Sequence, residues 1–280
     1  MVVGDLMLDK YVWGEVSRIS PEAPIPVINV AREELRPGGA GAVITNLVHL
    51  GARVLCTGVV GQDAVGQNLV QMIEKLGVDT SGMFTDTERP TTVKTRMMGH
   101  LHTAGRGVQQ LLRVDYERTH PVSKEIEDKV IDYVKTNLHS CDAVALSDMN
   151  KGLLTEKLLK TVSSLGRAAG KPVVVDPGMG SNCAFYKGVA VVTPNRRETE
   201  IMTGLDMSSP ENLKSAGSKL VESLDLQCAT ITLDKDGIFL YQRDGTHLIL
   251  PTNPREVYDV TGAGDMILSM ITFVIAGGFN

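Results

Sequence analysis

Three short runs in the second half of the chain, AVALSD (143–148), PVVVDPG (172–178) and VAVVTPN (189–195), are apolar at consecutive positions rather than at alternate ones. A strand with one wetted face alternates; a strand covered on both faces does not. Between these runs lie stretches with helical spacing. Ser123 stands ahead of Ile126, Val130, Tyr133, Val134 and Leu138, which share one helix face. Residues 155–169 form a second helical stretch, stopped by Gly170. Further helices are expected to begin near Asn195 and Pro210, followed by a hairpin over 229–241 with its turn at Asp236-Gly237. Buried strands alternating with amphipathic helices predict an α/β fold: a mostly parallel sheet with helices on both faces.

The first half is less regular. A short strand, VVGD, ends in an acid, and Val27, Ile28 and Val30 suggest another after a polar, proline-bearing stretch. A glycine-rich turn from Arg36 leads into a helix carrying Val43, Leu47 and Leu50, with Gly51 placed to end it. Residues 54–60 read as a strand and 65–76 as a helix closed by Gly77. Residues 85–116 differ in texture: TTVKTRMM and QQLLRVDY carry basic residues on one side, joined by the turn GHLHTAGRG. With the strand at 26–30 they predict a small β-sheet lid, its strands within 11–35 and 85–118, standing apart from the main core of a single domain over 1–280.

Composition narrows the function. The 28 Lys+Arg against 33 Asp+Glu give a net charge of −5, and aromatics are 4% of the chain, so neither a field nor a stacking platform for nucleic acid is expected. Four scattered cysteines, Cys56, Cys141, Cys183 and Cys228, read as core thiols of a reduced compartment. The opening carries acids inside its apolar run, unlike a signal peptide. The longest apolar run, 266–276, is about half of the ~20 residues that span a bilayer, and reads as a buried helix. A soluble, cytoplasmic protein with no membrane partner is the expectation.

Polar residues fall just after several strands: Asp5 and Asp9, Ser147-Asp148, Asp176-Pro177, Thr193-Pro194-Asn195, and Asp259. Each can cap a helix; together they can line the cleft that open α/β sheets form beyond the carboxyl ends of their strands. Near the C-terminus, Thr261-Gly262-Ala263-Gly264-Asp265 precedes the apolar run. Glycines opening a helix aim backbone N–H groups at an anion. Asp265 beside them either favours the helix N-terminus or takes a proton from a hydroxyl attacking phosphorus. Neither GxxxxGK[ST] nor an early GxGxxG is present.

Two segments in this order, the glycine-rich Gly38-Gly39-Ala40-Gly41 running on to GVVGQDAVG (58–66) and the later DVTGAGD (259–265), resemble the ribokinase-like sugar kinases of the PfkB family. Within it, VVGDLMLDKYVWGEVSRISPEAPIPV, LLRVDYE, TPNRRETE and EVYDVTGAGD look most like the D-glycero-β-D-manno-heptose 7-phosphate kinases, which often form the first domain of a bifunctional enzyme. The resemblance implies a ribokinase-like three-layer fold and ATP-dependent phosphorylation of a sugar phosphate. Asp265 is then the base, and Gly262, Ala263 and Gly264 form the anion hole. Asn195 and Glu198 hold Mg²⁺ through water, or serve only as a capping box. Thr232 and Gly237 lie along the nucleotide, and Asp259 and Thr261 are candidates for a monovalent cation, K⁺. On the sugar side the resemblance implies Asp9, with Gly38 and Gly39 allowing close approach. Lys94, Arg96, Arg113 and Lys151 are candidate phosphate contacts, Arg113 and Lys151 being favoured by the segments in which they lie. The heptose kinases carry Asp-Pro-Lys where this chain reads Asp176-Pro177-Gly178. Since the family continues beyond the helix that Asp265 opens, a domain cut short at its C-terminus is expected, and the small sheet is expected to mediate a homodimer.

Overall fold

The computed structural model describes residues 1–101, 108–252 and 262–278. The chain enters as β1 (Val2–Gly4), crosses at Asp5 and continues as two long strands, β2 (Leu6–Ile19) and β3 (Pro26–Gly39). Then come α1 (Ala40–His49), β4 (Cys56–Gly61), α2 (Ala64–Glu74), β5 (Met83–Asp86), β6 (Thr92–Leu101) and β7 (Val108–Tyr116). The regular half follows: α3 (Lys124–Asn137), β8 (Val144–Ser147), α4 (Glu156–Ala168), β9 (Val173–Asp176) and β10 (Val191–Val192). After α5 (Arg196–Thr203) and α6 (Asn212–Leu224) come β11 (Cys228–Thr232), β12 (Ile238–Gln242), β13 (His247–Leu250) and α7 (Ala263–Ala276).

Nine strands make the main sheet, in the order β13-β12-β11-β10-β9-β8-β1-β4-β5. From β5 to β11 every neighbouring pair is parallel, and only β12 and β13 run against their neighbours. The consecutive valines are explained by the pleat. Val144, Leu146, Val173, Val175 and Val192 join the core under α3, α4 and α6, whereas Ala145, Val174 and Val191 join the one under α1, α2 and α7. Helix starts follow the sequence signals: Ser123, Thr155 and Asp63 each accept a hydrogen bond from the backbone N–H three residues on.

A second sheet has the order β3-β2-β6-β7, antiparallel except for the parallel pair β2–β6. Strand β2 departs from expectation: the opening reads as a short strand, VVGD, with lid strands within 11–35, whereas one continuous strand runs from Leu6 to Ile19. Its inner half is buried against the main body and its outer half projects into solvent, so no single periodicity marks it. Strand β5 belongs to the main sheet rather than to the lid. The turn expected over 99–107 lies largely outside the described residues. Helix α7 also corrects the reading of 266–276 as buried. Its Leu268, Ser269 and Thr272 are covered, but Met266, Met270 and Val274, one turn apart, are exposed among the described residues. Among those residues no helix is long and apolar enough to cross a membrane.

The two sheets meet where the cleft forms. Asp5 N–H donates to Ser147 O (3.1 Å) and Ala40 N–H donates to Asp5 O (3.0 Å), tying β1, β8 and the start of α1 together. Gly39 makes this crossing with φ +55°, and a Cβ there would lie 2.6 Å from Asp5 O. No side chain fits.

Candidate active site

The strand-end polar residues divide by their partners. Asp5 is consumed structurally. It is buried, its Oδ2 accepts the N–H groups of Met149 and Lys151 (3.0 Å each), and its Oδ1 accepts that of Leu153 (3.3 Å). Burial is the main cause of a pKa raised to about 6. Asp148 likewise accepts from Tyr186 Oη (2.6 Å), Ser181 Oγ (3.1 Å) and Asn150 N–H (2.8 Å). Asp9 and Asp176, in contrast, line a cavity of about 210 Å³ with Met7, Gly39, Lys94, Arg96, Met149 and Gly262 to Asp265.

One end of that cavity is the start of α7. Gly262 precedes the helix in the left-handed region, φ +80°, without a side-chain cap. First-turn N–H groups have no partner within a helix, so they are available to an anion. Asp265 sits in that turn, and its Oδ1 is buried with no hydrogen-bond partner among the described residues. Burial, then the charge of Asp9, raises its pKa to about 7, while Lys94 opposes the rise. Asp176 closes the same corner. Its Oδ1 accepts from Thr193 Oγ1 (2.9 Å), and its Oδ2 lies 3.4 Å from where a Cβ on Gly264 would be. Burial, then Glu198 and Asp265, pushes Asp176 well above the usual carboxylate range.

At the other end stands the second sheet. Arg96 Nη1 donates to Asp9 Oδ1 at 2.6 Å, both groups buried. A Cβ on Gly38 would lie 2.5 Å from Asp9 Oδ2, so Gly38 leaves room for that carboxylate. Cross-strand pairing sets Asp9 opposite Lys94, and Arg96 opposite both Tyr11 and Arg113, which places these side chains on one face of the sheet.

The remaining expected residues lie outside the cavity lining. Asn195 and Glu198 form the capping box of α5, Asn195 Oδ1 accepting Glu198 N–H (2.9 Å) and Glu198 Oε2 accepting Asn195 N–H (2.8 Å). Burial raises the Glu198 pKa. Thr232 ends β11 and bridges to Asn195, and Gly237 opens β12. These residues follow neighbouring strands of the main sheet, and Glu198 reaches Asp176 electrostatically. Arg113 pairs with Asp115 (2.9 Å) and Lys151 with Glu117 (2.8 Å). The cations on the cavity wall are therefore Lys94 and Arg96, while the two favoured in the sequence are held by neighbouring acids. The missed signal was spacing: Lys94 and Arg96 are two apart in a strand, hence on one face. Asp259 and Thr261 lie outside the described residues.

The corner fits a phosphate group together with a metal ion. The helix start offers amides, the orphaned Asp265 Oδ1 needs a partner, and Asp176 and Glu198 stand by. Among the described residues no three His, Cys, Asp or Glu side chains gather to hold a metal unaided. A divalent ion would thus share its ligands with phosphate and water.

Known proteins resemble this chain in sequence and in fold. The model of the pfkB family carbohydrate kinases matches residues 1–277. The bifunctional protein HldE of Geotalea uraniireducens is 42% identical over 280 residues, covering 100% of this chain and 56% of the relative. That of Wolinella succinogenes is 41% identical over 279 residues, covering 100% and 57%. The chain thus spans about half the length of the curated relatives it matches. Among solved structures, phosphofructokinase-2 from Escherichia coli in complex with fructose-6-phosphate superposes with a TM-score of 0.77 at 16% identity, covering 100% of this chain and 88% of that one. Arabidopsis thaliana ribokinase complexed with ribose and ATP gives 0.72 at 18%, covering 100% and 86%. At such identities these two likenesses concern the fold.

Proposed function

The chain belongs to the pfkB family of carbohydrate kinases, and on that premise we propose that it phosphorylates the anomeric hydroxyl of D-glycero-β-D-manno-heptose 7-phosphate with ATP, giving the 1,7-bisphosphate and ADP. The observation that carries the proposal is the buried Asp265 Oδ1, without a hydrogen-bond partner among the described residues, at the glycine-opened start of α7 and in one cavity with Lys94 and Arg96. The heptose branch is supported by the 41–42% identity to HldE proteins along the whole chain.

In this mechanism Asp265 takes the proton from the sugar hydroxyl. The freed oxygen bonds to the γ-phosphorus, and the bond from that phosphorus to the β–γ bridging oxygen breaks, releasing ADP. The N–H groups of Gly262, Ala263 and Gly264 stabilise charge on the transferred group. Asp9, braced by Arg96, holds sugar hydroxyls, and Gly38 and Gly39 let the backbone close on the ring. Asn195 and Glu198 would hold Mg²⁺ through water, and the ion would supply shielding of phosphate charge. Thr232 and Gly237 lie along the nucleotide, and K⁺ at Asp259 and Thr261 belongs to the same proposal. So do a cytoplasmic location and a homodimer through the second sheet.

ADP release with Mg-ATP across heptose 7-phosphate, fructose 6-phosphate, fructose and ribose tests it, with Asp265→Asn as control. Turnover confined to heptose 7-phosphate and lost in the variant is expected. Preference for another sugar overturns the heptose assignment and leaves the family mechanism standing.

A further inference from the structure

Among the described residues Lys94 and Arg96 line the cavity, Arg113 and Lys151 act on Lys94 from nearby, and three of these four cations are already held. Arg96 is bound to Asp9, Arg113 to Asp115 and Lys151 to Glu117. Lys94 makes no hydrogen bond and no ion pair among the described residues, although its side chain lines the cavity that Asp265 closes. Burial, the largest influence on it, pushes its pKa below that of an ordinary lysine, and the positive charges of Lys151 and Arg113 push the same way against Asp9 and Asp115. A partly buried ammonium attracted by Asp9 and Asp115 but hydrogen-bonded to neither keeps its donors for a ligand. The ligand must be anionic. It must also arrive on the lid side, because the α7 side already provides an anion site of its own.

We infer that Lys94 is the specificity-determining residue for an acceptor that already carries a phosphate: its ammonium receives that distal phosphate while the acceptor's reacting hydroxyl faces Asp265. The inference rests on the proposal above that the acceptor is a sugar phosphate. Lys94 reaches from β6, directly opposite Asp9, so one register places the hydroxyl-binding carboxylate and the phosphate-binding ammonium side by side. Arg113 and Lys151 add positive field behind it.

The test compares wild type, Lys94→Met and Lys94→Arg on heptose 7-phosphate and on the same heptose without phosphate. A charge-assisted hydrogen bond predicts a loss of about 10- to 100-fold in kcat/KM for the phosphorylated sugar in Lys94→Met, carried by KM. The unphosphorylated sugar, which offers Lys94 no phosphate, loses at least about tenfold less in kcat/KM, and Lys94→Arg recovers part of the loss on the phosphorylated one. An equal loss on both sugars overturns the inference, since Lys94 would then serve the reaction or the fold. A displaced pH profile of kcat with unchanged selectivity also overturns it, since Lys94 would then serve only to tune Asp265. If wild type prefers the phosphorylated sugar and Lys94→Met keeps that preference, this inference fails and the proposed function stands. If wild type phosphorylates no sugar phosphate, both fall together.

Discussion

At Asp265 burial and the proposed function pull together: the desolvation that raises its pKa to about 7 would also suit it to act as a base near neutrality. The base must be ionised to act. The rate constant kcat/KM should therefore fall about tenfold per pH unit below about 7, and a pH–rate profile of wild type checks this. Asp265→Asn should lower kcat by at least about 100-fold with ATP binding retained, measured by turnover and by nucleotide titration. The same residue makes a stability prediction of definite sign. Its folded pKa lies above the ordinary 3.8, so ionisation penalises the fold. That penalty is absent below about 4, grows between about 4 and about 7, and is complete above. Asp265→Asn should thus melt higher than wild type at pH 8, and the gap should close as the pH is lowered. A gap independent of pH would refute the burial argument.

At the scale of elements, the loop after β8 governs the site through Asp5. Three backbone N–H groups of that loop end on one carboxylate, and the loop carries Met149 to the cavity wall. Asp5→Ala leaves those donors unsatisfied. It should cost about 1–3 kcal/mol in a denaturant titration and raise KM for the sugar more than KM for ATP. Gly39→Ala should damage the same junction by forcing a Cβ against Asp5 O, and lower stability by about 1–3 kcal/mol. Helix caps and the hairpin at Gly237 were legible in the sequence because each depends on residues a few positions apart. Strand β2 was not. Its burial changes along its length, because one end packs on the main body and the other stands free.

Across the whole molecule, the second sheet leaves apolar residues in water. Ile19, Ile25, Val30, Leu112 and Tyr116 are each more than half exposed, and Leu112 and Tyr116 lie on the face turned away from Lys94 and Arg96. The proposed second copy would cover them. Light scattering at micromolar concentration should give twice the 30.2 kDa chain mass, and the double substitution Leu112→Asp with Tyr116→Asp should give the monomer. A wild-type monomer at that concentration would count against the dimer.

Read without coordinates, the chain declares its parallel sheet, its flanking helices and the glycine-opened helix that carries Asp265. All three are written in neighbouring residues: consecutive valines, helical spacing, and GAGD. The sequence left open whether each strand-end acid caps a loop or faces the cleft, and which of the four candidate cations line the cavity. Asp5 and Asp148 turn out to be satisfied by the loops and side chains around them, while Asp9 and Asp176 face the cavity. Lys151 and Arg113 are drawn off by Glu117 and Asp115, leaving Lys94 and Arg96 on the wall. Those outcomes depend on the register of β2, β6 and β7 and on partners far apart in the chain. Pairwise electrostatics across a fold has no local signature, so only the tertiary structure could decide it.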